Sequence, residues 1–298
     1  MPKAFARIAL LFLLCLILAP SILAQAPPPT PAPARPDPAT ATVVLKVPGM
    51  DRVRVRKDLV YSTVDGAALG ADVYLPPDGT KAARPPVVIL VAGGAENTKA
   101  WGIYTSLGRV LAASGLASVP FNHRLRYPRR QYEEGAADLS ALIAYLRQNQ
   151  TKLELDASRI AVAVFSGGGP MLAPMIRERP AEVRCLVNFY AFLDTEHVDV
   201  AQAGTTPEVV KKFSPRLQFE ANPASLPPLF IARAGQDAIP GVNASIDRFV
   251  AVALERNAPI TLVNHVSGVH GFDHINDDAR TREILKMAIE FLRTHLQP

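Results

Sequence analysis

Beyond about residue 43 the apolar positions fall into short runs, separated by longer stretches in which they recur every three or four residues. Residues 53–61 and 69–75 alternate in part on either side of Val64-Asp65-Gly66, which predicts an antiparallel hairpin. Residues 87–91, Val-Val-Ile-Leu-Val, are apolar throughout, as a strand covered on both faces requires. Further strands are expected at 116–121, 160–164, 184–190, 229–234 and 260–265. Between them run helical patterns: Tyr104, Leu107 and Leu111; then Leu139, Leu142, Ile143 and Leu146; then Ile246, Phe249, Val250, Ala253 and Leu254; and last Ile284, Met287, Ala288, Phe291 and Leu292. Strands alternating with helices predict an α/β fold, a mostly parallel central sheet of about eight strands with helices on both faces. No internal repeat interrupts it. The one long break, 193–226, is where a lid or substrate-binding insert would sit.

The first 26 residues follow a different pattern. Lys3 and Arg7 precede an unbroken apolar run from Ile8 to Leu18, and the stretch ends on Ala24-Gln25-Ala26. This predicts a secretory signal peptide over 1–26, with an apolar run shorter than the roughly 20 residues of a membrane span. The mature chain would then have no stable membrane anchor and would be periplasmic or secreted. Leu13 and Leu14 before Cys15 lack the small residue of a lipid-attachment site. Residues 27–42 are Pro-rich, with no apolar side chain larger than alanine or proline, and are expected to be a disordered spacer. A single domain over 43–298 remains.

Cys185 would be the only cysteine of that domain, so no internal disulfide can brace it. With 49% hydrophobic residues the core is ample without one. The formal charge of +5 includes Lys3 and Arg7 of the leader, and the rest is well mixed, which argues against a nucleic-acid surface. The one basic concentration, Arg124, Arg126, Arg129 and Arg130, follows a central strand. A solvated loop is the plainer reading, with Arg124 as a candidate for binding a substrate carboxylate.

In α/β sheets the functional loops lie at the carboxyl ends of the strands. Three such loops carry, in order, Ser166, Asp237 and His270. Ser166 stands between a strand and a helix in Val164-Phe165-Ser166-Gly167-Gly168, the setting for a sharp turn that exposes a hydroxyl. Gly168 meets the need for a small residue two positions after the serine; Val164, two before it, does not, so the full G-x-S-x-G pattern is broken. Asp237, in Ala234-Gly235-Gln236-Asp237, can serve as a helix cap or can fix the tautomer of a histidine. His270 lies in the glycine-flanked loop Gly268-Val269-His270-Gly271. Ala92-Gly93-Gly94-Ala95 follows the first buried strand; its Gly94 amide, with that of Gly167, is a candidate oxyanion hole, and Gly93 and Ala95 are candidate substrate contacts. His270, Asp273 and His274 could also suggest a metal site, but neither H-E-x-x-H nor a cysteine pair accompanies them, and no metal or cofactor is expected.

Taken together, Ala92-Gly93-Gly94, Phe165-Ser166-Gly167-Gly168, Asp237 and His270-Gly271-Phe272 resemble the α/β hydrolases, most of all the dienelactone-hydrolase-like and esterase/lipase-like members. The resemblance spans nearly all of residues 61–292. It implies the α/β-hydrolase fold and a Ser166–His270–Asp237 triad acting on a small-molecule ester. Two departures stand: dienelactone hydrolases proper use a cysteine nucleophile, and many esterases carry histidine where Ala92 stands. Asp194, after the neighbouring strand, is an alternative acid. A peptidase of related fold, or an inactive binding protein distorted at Val164, is the alternative function.

Overall fold

The computed structural model describes residues 36–79, 84–93, 97–126, 129, 131–196 and 198–297. The predicted leader 1–26, most of the Pro-rich segment, Gly94, Ala95 and Arg130 lie outside them. Eight strands are present among the described residues: β1 (Arg54–Val64), β2 (Ala67–Leu75), β3 (Pro86–Val91), β4 (Ala117–Pro120), β5 (Asp156–Phe165), β6 (Val183–Phe189), β7 (Leu229–Ala234) and β8 (Ile260–His265). They form one sheet in the order β1-β2-β4-β3-β5-β6-β7-β8. The β1–β2 and β2–β4 pairs are antiparallel and all others parallel. The β1–β2 hairpin turns on Asp65 and Gly66, both at positive φ (49° and 78°), the conformation for which Asp-Gly is suited.

The helices are α1 (Gly102–Ala113), α2 (Tyr132–Leu153), α3 (Leu172–Glu178), α4 (Val200–Ala203), α5 (Pro207–Lys212), α6 (Pro215–Ala221), α7 (Val242–Glu255), α8 (Phe272–Ile275) and α9 (Ala279–His295). Side chains alternate across a strand, so the continuous apolar runs feed two cores at once. Val87, Ile89 and Val91 of β3 and Ile160, Val162 and Val164 of β5 pack with α2, α3 and α7. Val88, Leu90, Ala161, Ala163 and Phe165 pack on the other face with α1 and α9. Cys185 is buried there, which pushes its thiol up to about 12 and keeps it protonated.

Two segments differ from the sequence expectation. The spacer predicted for 27–42 does not extend to residue 42: from Pro36 the chain lies on the fold. The first N–H groups of a helix lack partners within the helix. Those of α1 are met by this segment, with Gly102 N–H donating to Ala39 O at 2.8 Å and Ile103 N–H to Pro38 O at 3.3 Å. A Cβ on Gly102 would collide with the Ala41 carbonyl, so glycine is what permits the approach. Val43 N–H then donates to Ser106 Oγ (3.0 Å), and the Val43 side chain is fully buried.

The break at 193–226 is an insert carrying α4, α5 and α6. Thr206 and Ser214 cap α5 and α6 through their hydroxyls, with proline at the first helical position of each. Phe219 of α6 meets Phe249 of α7 at 5.7 Å between ring centroids, and Lys212 pairs with Glu133 of α2 at 2.9 Å. The insert braces the α2/α7 side of the sheet.

Candidate active site

Ser166 begins a short 3₁₀ turn, Ser166–Met171, directly after β5, and holds φ at +54°. A non-glycine residue in that region is strained, and such strain is characteristic of functional turns. The three glycines after it are needed for contact. An added Cβ on Gly167 would lie 2.8 Å from Gly93 O; on Gly168, 2.8 Å from Val91 O; on Gly169 it would overlap the Phe192 carbonyl. The turn thus sits directly on the backbone that leaves β3 and β6. Gly93 is matched in turn, since its own Cβ would stand 3.1 Å from Ser166 Cβ and 3.2 Å from Gly167 N. Val164 does not obstruct this arrangement: its side chain faces the α2/α3 core and is fully buried.

His270 reaches Ser166 from the loop after β8. Its Nε2 lies 2.8 Å from Ser166 Oγ and its Nδ1 2.7 Å from Asp237 Oδ2. A carboxylate accepts, so Nδ1 carries the proton and Nε2 is left to accept from the serine hydroxyl. The Asp237 side chain is sealed from solvent, and its other oxygen accepts from Ile239 N–H at 2.9 Å. The two loops are tied together, with Gln236 N–H donating to Gly268 O (2.9 Å) and Gly235 N–H to His265 O (2.8 Å). Gly271, at φ +82°, turns the chain immediately after His270.

Asp194, the alternative acid, is engaged elsewhere. Its carboxylate accepts from Arg248 Nε (2.7 Å), Arg216 Nε (3.1 Å) and Ser214 Oγ (3.1 Å). Arg124 also departs from expectation. It does not line the serine's cavity; its guanidinium lies against the buried Asp138, with Nη2–Oδ1 at 2.7 Å and Nε 3.1 Å from both carboxylate oxygens. A guanidinium locked on a buried carboxylate is a structural partner rather than a free substrate contact.

A cavity of about 260 Å³ opens over Ser166 and His270, walled largely by Trp101, Tyr104, Phe165, Tyr190 and Ile275. Pro36 and Pro38, from the stretch expected to be spacer, line it; no described residue of the 193–226 insert does. Tyr190, which the sequence pattern does not single out, also borders the site. It follows β6 at φ +38°, and its ring meets that of His270 edge to face at 4.8 Å between centroids. Its position at a strand's carboxyl end was the available signal; the aromatic ring concealed it among core residues. Burial, with the Asp273 carboxylate beside it, holds the Tyr190 phenol well above its ordinary pKa and so protonated. Of the other histidines, burial pushes His123 down to about 4, and His265 closes β8 against Thr281 at 3.0 Å. Thr98, on the cavity wall, has its Oγ1 buried without a hydrogen-bond partner among the described residues.

Comparison with known proteins matches these features to one architecture. Residues 71–177 match the BD-FAE family model. Esterase 2 of the planctomycete Thermogutta terrifontis superposes with a TM-score of 0.65 in its propionate-bound form, at 22% identity, covering 84% of this chain and 98% of that one. The same enzyme phosphorylated by paraoxon superposes with a TM-score of 0.64 at 21% identity, covering 84% and 97%. No curated protein sequence matches the chain. The strand order, the turn at Ser166 and these superpositions give the chain the α/β-hydrolase fold, with a BD-FAE match, an α/β-hydrolase family, over its central portion.

Proposed function

We propose that this chain is an exported serine hydrolase that cleaves the carboxylic ester of a small molecule through an acyl-enzyme. The observation that carries the reading is the continuous line from Asp237 through His270 to Ser166, with contacts of 2.7 and 2.8 Å, ending on a strained serine at the floor of a cavity. His270 Nε2 takes the hydroxyl proton as Ser166 Oγ attacks the ester carbonyl. Asp237 holds the ring in the required tautomer and stabilises the imidazolium. The imidazolium then protonates the leaving alcohol. Water, deprotonated by the same nitrogen, attacks the acyl-serine and releases the acid.

Charge that develops on the carbonyl oxygen needs fixed donors. The Gly167 amide stands at the start of the 3₁₀ turn, where N–H groups lack intrahelical acceptors, and is one donor in this proposal. The Gly94 amide is the second, by its place just beyond Gly93, the residue against the serine. Three side chains and two amides carry every step. Export rests on residues 1–26, and the likeness to dienelactone hydrolases on the motifs alone. The propionate held by the Thermogutta esterase is of a size that suits the present cavity.

An activity-based fluorophosphonate probe tests the reading. The folded protein is expected to be labelled and Ser166→Ala to remain unlabelled. No labelling of folded wild type, or equal labelling of both, would overturn it.

A further inference from the structure

Two imidazoles face the cavity, and they differ in what their nitrogens do. Both ring nitrogens of His270 are engaged, by Asp237 and Ser166. His274, one turn further on in α8, lies with Nδ1 3.1 Å from Asp273 Oδ1. Its Nε2 has no protein partner among the described residues, and the residue lines the same cavity. Asp273 is itself buried, at 2% exposure, and the same Oδ1 accepts the Tyr190 hydroxyl at 2.6 Å. The backbone of that residue is also tied down, its carbonyl accepting from Val44 N–H at 2.9 Å. Tyr190 in turn packs against His270. One buried carboxylate therefore holds both the ring that packs against His270 and a second imidazole that lines the ligand space and whose Nε2 is unpartnered among the described residues.

We propose that His274, oriented by Asp273, is a specificity residue that hydrogen-bonds a hydroxyl group carried on the chain of the ester substrate. The chemistry follows from the pairing. A carboxylate at Nδ1 keeps the proton there, so Nε2 accepts when the ring is neutral and donates when it is charged. A hydroxyl both donates and accepts, and so complements either state. A purely apolar chain would cover Nε2 and leave it desolvated without a partner, a cost a hydroxylated chain avoids. The small volume of the cavity and its apolar walls favour a short chain with one such group.

The inference rests on the ester-hydrolase reading for the identity of the ligand, but its test does not require turnover. Binding of methyl hexanoate and of methyl 3-, 4- and 5-hydroxyhexanoate to Ser166→Ala is measured by ligand-observed NMR titration. At least one hydroxylated ester is expected to bind about threefold to tenfold more tightly than the parent, the range for one neutral hydrogen bond. Adding His274→Phe should abolish that advantage, with the parent bound at least as tightly as before because no buried nitrogen is left unpaired; His274→Ala serves if the phenylalanine variant fails to fold. Binding of none of these esters, no preference for a hydroxylated one, or a preference that survives loss of the imidazole would overturn the proposal. Labelling of wild type by the fluorophosphonate, run alongside, reports separately on the hydrolase reading.

Discussion

Asp194 and Asp237 follow neighbouring parallel strands, β6 and β7, and both side chains are fully shielded from solvent. Asp237 meets one backbone N–H and one imidazole. Asp194 meets two guanidinium groups and a serine hydroxyl. A carboxylate neutralised by permanent cations stabilises structure, and it has little left to give a base that must gain and lose a proton. Among the described residues the carboxylate beside the histidine pairs with no other charge, so in the proposed mechanism an imidazolium formed during attack would receive its full effect. Equivalent places in the topology thus serve unlike ends, and the partners decide which.

The largest expected effect is on Asp237. Asp237→Asn should lower kcat/KM for a small ester by about 10⁴-fold, the scale on which an amide in place of the triad acid presents the wrong tautomer. Its urea midpoint should change little. If turnover were retained, Asp237 would lose its assigned role and the contrast with Asp194 would collapse.

Asp194→Ala should act the other way. Arg216 keeps Glu196 and Glu220 as partners and Arg248 keeps Glu196, so the cost is that of the lost charged hydrogen bonds, about 2 kcal/mol. Urea denaturation would read this as a lower midpoint, while the folded fraction should still label with fluorophosphonate at the wild-type rate. Loss of labelling in folded Asp194→Ala would instead make this acid part of the machinery.

The smallest effect is in the acid limb of stability. Burial alone would raise the Asp194 carboxyl, but the hydrogen bonds from Arg248, the Glu196 amide and Arg216 outweigh it and hold the group below its ordinary 3.8. Its contribution to stability is therefore complete above that value and fades as pH falls through the lower, folded-state value. Unfolding free energies followed from pH 5 downward should fall less steeply in Asp194→Asn than in wild type. Parallel curves would refute the linkage.

How far the site could be read in advance varied from residue to residue. Ser166, Asp237 and His270 were legible because each lies in the loop that follows a segment with a strand pattern. Gly167 and Gly168 were legible because a sharp turn needs them. Tyr190 was not, because an aromatic residue at a strand end looks like core; His274, one turn from His270, was visible only as part of a possible metal group. Arg124 was misleading for a related reason. Its position after a central strand is correct, but Asp138 on α2, fourteen residues later, captures the guanidinium.

The sequence by itself determined the strands and helices of the sheet, the Asp65-Gly66 hairpin turn and the order of the three candidate-site loops. Those depend on periodicity and on backbone preferences that act within a few residues. Only the tertiary structure decided that Val164 is harmless where a small residue was expected, because its side chain turns into the core and away from the serine. It also decided that Pro36 and Pro38 line the cavity while the 193–226 insert braces the far side. Above all it decided which acid meets the histidine. Asp237 and His270 are 33 residues apart, and His270 and Ser166 are 104 apart. Contacts at such separations exist only once the parallel strands are laid side by side, where competing cations have already claimed Asp194.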